Sequence, residues 1–156
     1  MAIPIEESFG VGAPIERVWE YFSDPPRVVP CIPGAELTGV VDANTYEGRV
    51  SVQVGPIRAQ FAGTVNIREL DAARHSMTLS ARGLQKGAAG RAEATVNFAL
   101  ESEGASATRV SIRAEVSLVG KLAQLGGGMI QTVSRQLFRK FADCARREIL
   151  AGGAAS

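Results

Sequence analysis

The segment "TYEGRVSVQVGPIRAQFAGTVNI", residues 45–67, decides the fold, because apolar or glycine residues recur in it at every second position. In its first half the even-numbered residues are apolar or glycine, and the odd-numbered residues are polar or charged. After Gly55-Pro56 the odd-numbered residues become the apolar set. A period of two with a Gly-Pro turn between the halves predicts two antiparallel strands, with one face buried and the other in solvent.

The same alternation returns in three later segments. They are "HSMTLSARG" (75–83), "RAEATVNFAL" (91–100) and "RVSIRAEVSL" (109–118), and short polar or glycine-containing turns separate them. Residues 3–10, "IPIEESFG", read as one further strand at the start of the chain. The pattern therefore predicts a curved antiparallel sheet of about seven strands.

Helical periodicity flanks this sheet on both sides. From Ile15 to Phe22 apolar residues recur every three or four positions, and Pro25-Pro26 ends that helix, so two short helices are expected after the first strand. Residues 120–150 return to the helical period. Their apolar stripe is Met129, Ile130, Val133, Leu137, Phe141 and Cys144, and their polar side is Lys121, Arg135, Arg139 and Arg146.

This order of elements predicts an α+β helix-grip fold, in which the sheet wraps around the long C-terminal helix. We expect one domain over residues 1–150 and a disordered tail at 151–156. Since the chain is 46% hydrophobic, it is not expected to be disordered, and its 17 basic against 16 acidic residues disfavour a nucleic-acid binder.

The expected location is the cytoplasm. No apolar run approaches the roughly 20 residues that span a bilayer, and the N-terminus "MAIPIEESF" lacks the pattern of a signal peptide. Cys31 and Cys144 have no Cys-x-x-Cys spacing, so we predict two reduced thiols.

Small residues are frequent on the predicted inner face of the sheet. They are Gly48, Ala59, Gly63, Ala81, Gly83, Ala92, Ala94 and Ala114. Because empty space destabilises a protein interior, two explanations remain open: the helix sits close to the sheet, or an apolar ligand fills the space. In the second case the apolar, proline-rich loop "VVPCIPGAEL" (28–37) is expected to be a lid over one end of the cavity.

Signs of catalytic or metal chemistry are weak. His75 has no nearby ligand partners, Cys31 has no neighbouring base, and "GAAG" (87–90) and "GGG" (126–128) lack the lysine and hydroxyl of a phosphate loop. No acid, base or nucleophile is recognised on the inner face, so no catalytic residue, metal or cofactor is predicted. The charges on the strands are interpreted as solvated cross-strand pairs on the outer face, namely Glu47 with Arg49, Arg91 with Glu93 and Arg113 with Glu115.

Four segments carry a resemblance to a known family. "VWEYFSDPPRVVPCIPGAEL", "VQVGPIRAQFAGTVNI", "GRAEATVNF" and "GKLAQLGGGMI" resemble the G-subunit family of carbon monoxide dehydrogenase, which belongs to the START-like (SRPBCC, helix-grip) superfamily. The resemblance covers about residues 3–145. It implies a non-catalytic accessory protein of a molybdenum hydroxylase that handles a lipophilic ligand such as a quinone or lipid and helps recruit the enzyme to the membrane.

On this basis we expect a lipophilic small molecule and molybdenum hydroxylase subunits as partners, with no nucleic acid. The residues expected to bind the ligand are Trp19, Phe22, Ile32, Pro33, Val52, Phe61, Leu79, Ala94, Phe98, Gly126, Ile130, Val133 and Leu137. Many family members carry a long C-terminal extension, whereas this chain stops after Ser156, so direct anchoring is less expected than peripheral contact at the inner face of the cell membrane. Two alternatives stay open: a START-like enzyme of the cyclase or dehydratase type, and a protein adaptor with a filled core.

Two features of the last helix lead to separate expectations. If the helix runs through Gly126-Gly127-Gly128, then Gly126 lies above Ile130 and makes space for a ligand; alternatively the triplet is the turn where the helix begins. The basic side is either a solvated face or a docking surface for an acidic partner or anionic lipid. It comprises Arg135, Arg139, Lys140, Arg146 and Arg147.

Overall fold

The alternating and helical segments form the elements that the sequence predicts. The computed structural model describes residues 2–154 and the side chains of residues 2–152. Its strands are β1 (Ala2–Val11), β2 (Ala35–Asp42), β3 (Thr45–Val54), β4 (Ile57–Asp71), β5 (Ser76–Gln85), β6 (Arg91–Ser102) and β7 (Thr108–Val119). Its helical elements are α1 (Ile15–Phe22), α2 (Pro25–Val28), a 3-10 turn (Val29–Cys31), a 3-10 helix (Lys121–Leu125) and α3 (Gly127–Ala154). The predicted α+β helix-grip fold is confirmed.

All seven strands belong to one antiparallel sheet. Their order is β1-β7-β6-β5-β4-β3-β2, so β2 to β7 form a meander and β1 joins it beside β7. The hairpin predicted at residues 45–67 is β3 and β4, in which Val54 pairs with Ile57 next to the turn. Along β3 Val50 is half-buried and Arg49 is exposed, as the alternation predicts. One face of the sheet therefore lies toward the helices and the other in solvent.

The entry into the C-terminal helix differs from the prediction. The 3-10 helix and α3 are separated at Gly126, whose backbone has φ +83°. Lys121 therefore lies outside α3 and not on its polar side. Met129, predicted on the apolar stripe, is 44% exposed, while Ile130 is 7% exposed. Adjacent residues of a helix point in directions about 100° apart, so only one of the two can face the sheet.

Two clusters of buried side chains hold α3 against the sheet. The aromatic cluster joins β1, β6 and β7 to α1, α2 and the C-terminal half of α3; it consists of Phe9, Val11, Ala13, Val18, Tyr21, Phe22, Val28, Cys31, Leu100, Val110, Phe141, Ala142, Ala145 and Ile149. The aliphatic cluster lies at the opposite end and consists of Ile3, Val54, Ala59, Phe61, Leu118, Leu122 and Ile130. The helix is thus packed near both of its ends.

Cys31 and Cys144 form a disulfide, with their Cα atoms 5.4 Å apart. The prediction of two reduced thiols is wrong. The bond links the 3-10 turn after α2 to α3 across a sequence separation of 113 residues. No local spacing signals this pair, because the two residues meet only when α1, α2 and α3 pack around the aromatic cluster.

The outer-face charges pair with partners other than those predicted. Each predicted pair lies two positions apart on one strand, so its members are not cross-strand neighbours. The observed ion pairs are Arg49–Glu36 at 2.8 Å, Arg82–Glu93 at 3.9 Å and Arg113–Glu6 at 3.0 Å. They remain solvated pairs of small energetic weight, as expected for this face.

Helix α3 continues beyond the predicted domain boundary at residue 150. Its backbone is helical to Ala154. Positions 155 and 156 lie outside the described residues, and for them the predicted disorder stays a prediction. Within residues 2–154, no helix combines the length and the apolar character that a membrane crossing requires.

Candidate functional site

The inner face of the sheet is only partly covered between the two clusters. Ala81 lies opposite Ala94 across β5 and β6, and Leu79 lies opposite Val96 in the same strand pair. All four residues are half-buried and belong to neither cluster. We call this strip, together with the neighbouring Val65 on β4, the inner trough. It is the part of the grip in which apolar side chains remain accessible.

Helix α3 forms the opposite wall of the inner trough. Val133 and Leu137 are half-buried, and they follow Ile130 at steps of three and seven residues, which places them on one helix face. Since Ile130 belongs to the aliphatic cluster and Phe141 to the aromatic cluster, this face bridges the gap between the two. The trough is therefore apolar on the strand side and on the helix side.

The structure explains the small size of the inner-face glycines Gly63 and Gly83 differently from that of the inner-face alanines. A Cβ atom at Gly63 would collide with the backbone carbonyl oxygen of Arg82, and one at Gly83 would come within 3.3 Å of the Phe61 Cβ atom. Close approach of β4 and β5 therefore explains these glycines without a ligand. Ala81 and Ala94 are half-buried, and close strand approach is not shown at these two positions, so they contribute accessible surface to the trough.

Aromatic side chains border the trough where it meets the aromatic cluster. Trp19, on α1, is half-buried. Its ring and the ring of His75 pack in an edge-to-face arrangement, with their centroids 5.6 Å apart. His75 lies in the turn before β5 with φ +53° and not in the strand itself. Phe98 is half-buried, and its ring centroid lies 5.5 Å from that of Phe22. Trp19 and Phe98 thus present ring surface beside a fully packed core.

The predicted ligand-binding residues fall into three groups. Those that fill the clusters are Phe22, Phe61 and Ile130, each at most 7% exposed. Those that are half-buried are Trp19, Pro33, Val52, Leu79, Ala94, Phe98, Gly126, Val133 and Leu137, and Ile32 is exposed at 38%. The second group supplies the surface that a ligand would contact, and its binding role stays a prediction.

Gly126 does not occupy the predicted helical position. It precedes the first residue of α3 and adopts φ +83° and ψ 157°. Apart from its two chain neighbours, no described residue has an atom within 4 Å of where its Cβ would be, so it does not make room in a crowded interior. The alternative, in which the glycine triplet is the turn where the helix begins, holds for Gly126 only, because Gly127 and Gly128 already belong to α3.

The predicted lid, residues 28–37, is held at two places. Cys31 bonds to Cys144 of α3, and the backbone N–H of Ser51 on β3 donates to the carbonyl of Gly34 at 3.0 Å. Between these attachments Ile32 is 38% exposed. The segment is a fixed strap between α3 and the β2–β3 edge, and its role as a lid over a ligand stays a prediction.

One carboxylate was missed on the inward side of the sheet. Glu7 is half-buried on β1, in the same alternating set as Ile5 and Phe9. It lies opposite Ile112 of β7. The expectation that the inner face holds no acid is therefore wrong, and the alternation in "IPIEESFG" was the signal that identifies Glu7.

Tyr21 is a second residue that the helical pattern did not single out. Its side chain is fully buried, and among the described residues its hydroxyl has no hydrogen-bond partner. Burial, reinforced by Glu148, raises the pKa of Tyr21 to about 12, and the guanidinium of Arg27 opposes this rise. Glu148 lies near the end of α3 and Arg27 on α2, so the Tyr21 hydroxyl faces the helices and not the trough.

The predicted basic side of α3 is divided. Arg135, Arg139, Lys140 and Arg147 are exposed. Arg146 instead donates to the Gly10 carbonyl at 2.8 Å and pairs with Asp143 at 3.0 Å. Its guanidinium also lies 5.2 Å from the centre of the Phe9 ring. Arg146 therefore braces α3 against β1 and is not available for docking.

The remaining surface offers no stronger site for an apolar ligand. Two open depressions of about 720 Å³ and 280 Å³ lie mainly along the solvent side of the sheet, and the smaller is also lined by the trough residues Ala81 and Ala94. The larger is lined mainly by polar side chains, including Glu6, Asn97 and Arg113. Across the described part of the chain, no group of three His, Cys, Asp or Glu side chains is placed to hold a metal ion.

Comparison with known proteins agrees with this architecture. The sequence model of the CoxG family, the G-subunit family of carbon monoxide dehydrogenase, matches residues 8–150. A comparison with curated protein sequences gave no match.

Among solved structures, a conserved protein from Geobacillus kaustophilus superposes with a TM-score of 0.84 at 18% identity, covering 97% of this chain and 96% of that one. A START superfamily protein from Mycobacterium smegmatis gives a TM-score of 0.62 at 15% identity, covering 96% and 98%. The Zhui aromatase/cyclase from Streptomyces sp. R1128 gives a TM-score of 0.61 at 13% identity, covering 97% of this chain and 93% of that one. At these identities the structural matches establish a shared START-like fold.

Proposed function

The chain belongs to the CoxG family of carbon monoxide dehydrogenase accessory proteins, and from this premise we propose that it is a non-catalytic accessory protein of a molybdenum hydroxylase. It binds a lipophilic small molecule, a quinone or a lipid, in the inner trough, and it helps to link the enzyme to the inner face of the cell membrane. The ligand occupies the space between α3 and strands β4 to β6. The cytoplasm is the proposed location.

The observation that carries this proposal is the partial exposure of the inner trough. A filled grip would bury Leu79, Ala81 and Ala94 fully, because protein interiors are packed as densely as organic crystals. Here they remain half-buried. Apolar surface in this position favours a ligand that is itself apolar, since burial of both surfaces removes them from water. The adaptor with a filled core is correspondingly disfavoured.

The shape of the site also suits a flat or elongated ligand. Two alanines face each other on the floor of the trough, and aromatic rings of Trp19 and Phe98 stand at one end. Rings of this kind stack against planar ligands. A quinone head group beside the aromatic residues, with its apolar tail along the trough, satisfies both features.

A titration monitored by tryptophan fluorescence tests this proposal. Trp19 is the sole tryptophan in the chain, so quenching by a short-chain quinone reports on the site directly. Ala94→Phe should fill the trough and weaken quinone binding at least about tenfold, a loss of about 1.4 kcal/mol. Thr95→Phe is the matched control, because Thr95 is the next residue of β6 and its exposed side chain lies on the outer face.

Thermal unfolding must show that both variants remain folded; Ala81→Leu, on the facing strand, is the second trough variant if Ala94→Phe is unstable. Equal quinone affinity in a folded trough variant and in wild type would overturn the proposed binding site. Native mass spectrometry of the purified protein, followed by organic extraction, then identifies any lipophile that copurifies.

A second candidate function is a START-like enzyme of the cyclase or dehydratase type. The observation that favours it is Glu7, a half-buried carboxylate on the inward side of β1. A positioned carboxylate can act as a general acid or base toward a bound substrate. The discriminating result is chemical turnover of the extracted lipophile by wild type and its loss in Glu7→Gln; unchanged ligand after incubation supports the accessory function.

A further inference from the structure

The turns at one end of the sheet contain cations and no acidic residue. This end is formed by the β3–β4 turn (54–58), the β5–β6 turn (84–91) and the segment from β7 into α3 (119–129). We call these three segments the basic tip. They hold four cations, Arg58, Lys86, Arg91 and Lys121, and neither aspartate nor glutamate.

The three segments belong to one surface. The backbone N–H of Lys86 donates to the Gln60 carbonyl of β4 at 2.8 Å, which ties the β5–β6 turn to the start of β4. A Cβ at Gly120 would lie 2.9 Å from the Gly90 Cα atom, so the β5–β6 turn also touches the segment after β7. The aliphatic cluster, which includes Leu122 and Val54, lies beneath.

The cations of the basic tip are free of carboxylate partners. All four are exposed, and among the described residues none of them forms an ion pair. Elsewhere on the sheet, arginines such as Arg49, Arg82 and Arg113 each have a glutamate partner. The positive charge of the tip is therefore uncompensated and available to an anionic surface.

Large apolar side chains stand among these cations. Leu84 is 67% exposed, Val119 is 47% exposed and Met129 is 44% exposed. Leu84 and Val119 flank Arg91 in one row across β5, β6 and β7, so apolar and cationic side chains alternate on the same face. Met129 borders the β3–β4 turn, where its sulfur lies 3.9 Å from the point that a Cβ at Gly55 would occupy.

We propose that the basic tip is the surface through which this protein contacts an anionic lipid bilayer, with Leu84, Val119 and Met129 entering the head-group region and the four cations meeting lipid phosphates. Separate apolar side chains at the ends of β5 and β7 and in the first turn of α3 suit a soft bilayer, whereas a protein partner generally requires a continuous complementary patch. The uncompensated positive charge supplies the matching attraction. This inference rests on the proposed membrane contact and assigns it to a site other than the basic side of α3.

Co-sedimentation with vesicles provides the test. Wild type should bind vesicles of equal parts phosphatidylglycerol and phosphatidylcholine at low salt, and not phosphatidylcholine alone. Lys86→Glu/Lys121→Glu should weaken that binding at least about 25-fold, because each cation near an anionic surface contributes roughly a fivefold factor. Arg135→Glu/Arg139→Glu on α3 changes the net charge by the same amount and should weaken binding by less than about threefold.

A second readout addresses insertion of the apolar side chains. In a Trp19→Phe background, Leu84→Trp should shift its fluorescence to the blue when anionic vesicles are added, while Thr95→Trp on the middle of the same outer face should not. Leu84→Ser/Val119→Ser should lower vesicle binding with little change in its salt dependence, because it removes no charge.

Each outcome decides between surfaces. If both charge-reversal variants lose binding equally, or the α3 variant loses more, the assignment to the basic tip is overturned and the proposed membrane contact survives. If wild type ignores anionic vesicles at low salt, both are overturned, and the tip then fits an acidic protein surface. Quinone binding in the trough is measured without vesicles, so its success or failure is independent of this result.

Discussion

The two ends of the sheet carry different charged residues. At the end opposite the basic tip, the β2–β3, β4–β5 and β6–β7 turns and the strand ends beside them carry acidic residues: Asp42, Glu69, Asp71, Glu101 and Glu103. The cations there are paired, since Arg74 meets Asp71 at 3.8 Å and Arg109 meets Glu103 at 3.4 Å. We call this the acidic end.

The interior follows the same division. Beneath the acidic end lie the aromatic cluster and the disulfide that joins the strap to α3. Beneath the basic tip lies the smaller aliphatic cluster, and the chain enters α3 there through a glycine turn. The difference indicates that one end holds the fold together while the other presents charge and apolar side chains for contact. The inner trough lies between them.

The largest effect is expected from the disulfide of the acidic end. Cys31→Ser/Cys144→Ser should lower the free energy of unfolding by about 2–4 kcal/mol under non-reducing conditions, because the bond closes a long loop in the unfolded chain. Chemical denaturation measures this change. Hydrogen exchange should rise in the strap and α1 while the basic tip stays unchanged.

Wild type treated with a thiol reductant is the control, and it should match the double variant. If thiol titration finds two free cysteines in the untreated protein, or if the two proteins unfold alike without reductant, the cross-link does not distinguish the ends.

An intermediate effect is expected at the glycine turn of the basic tip. Gly126 has φ +83° and ψ 157°, a conformation that is almost restricted to glycine, so Gly126→Ala should cost about 1–3 kcal/mol in unfolding free energy. Gly128→Ala is the matched control in the first turn of α3, where an added Cβ meets no atom within 4 Å. It should stabilise the protein by about 0.4–1 kcal/mol. Equal effects of both substitutions would show that the turn does not depend on the backbone of Gly126.

The smallest effect at neutral pH is expected for Tyr21 at the acidic end. Its hydroxyl has no partner among the described residues, so Tyr21→Phe should change stability by less than about 1 kcal/mol. The distinguishing result lies at alkaline pH. Because burial raises the pKa of Tyr21 to about 12 in the folded state, above the usual value of 10, the neutral phenol stabilises the fold fully below pH 10.

That contribution is lost as the pH rises from 10 through 12, when the unfolded chain releases the proton more readily. Wild type should therefore lose stability over this range more steeply than Tyr21→Phe, as measured by denaturation at fixed pH steps. Tyr46→Phe removes the other tyrosine and controls for general alkaline effects. Parallel curves for wild type and Tyr21→Phe would exclude Tyr21 as the source.

Much of this molecule was predictable from local patterns. Alternation every two residues located six of the seven strands and their buried faces, and the period of three to four located α1 and α3, because side-chain direction follows directly from backbone geometry. Strand β2 (Ala35–Asp42) was not located, and its first residues were assigned to the predicted loop 28–37. The same rule would have identified Glu7, which shares the inward set of β1. Phe22, Phe61 and Ile130 were predicted to bind the ligand; they are buried in the two clusters, whereas Leu79, Ala94 and Leu137 are half-buried.

What the tertiary structure decided are the relations between distant segments. The Cys31–Cys144 bond forms because α2 and α3 pack together. Whether a small residue on the inner face is required by close strand approach also depends on the distance between strands: it is required at Gly63 and not shown at Ala94. The charged residues are fixed by the sequence, but the two ends of the sheet differ in charge because the meander places alternate turns at opposite ends. Local periodicity determines which way a side chain points; only the folded chain determines what it meets.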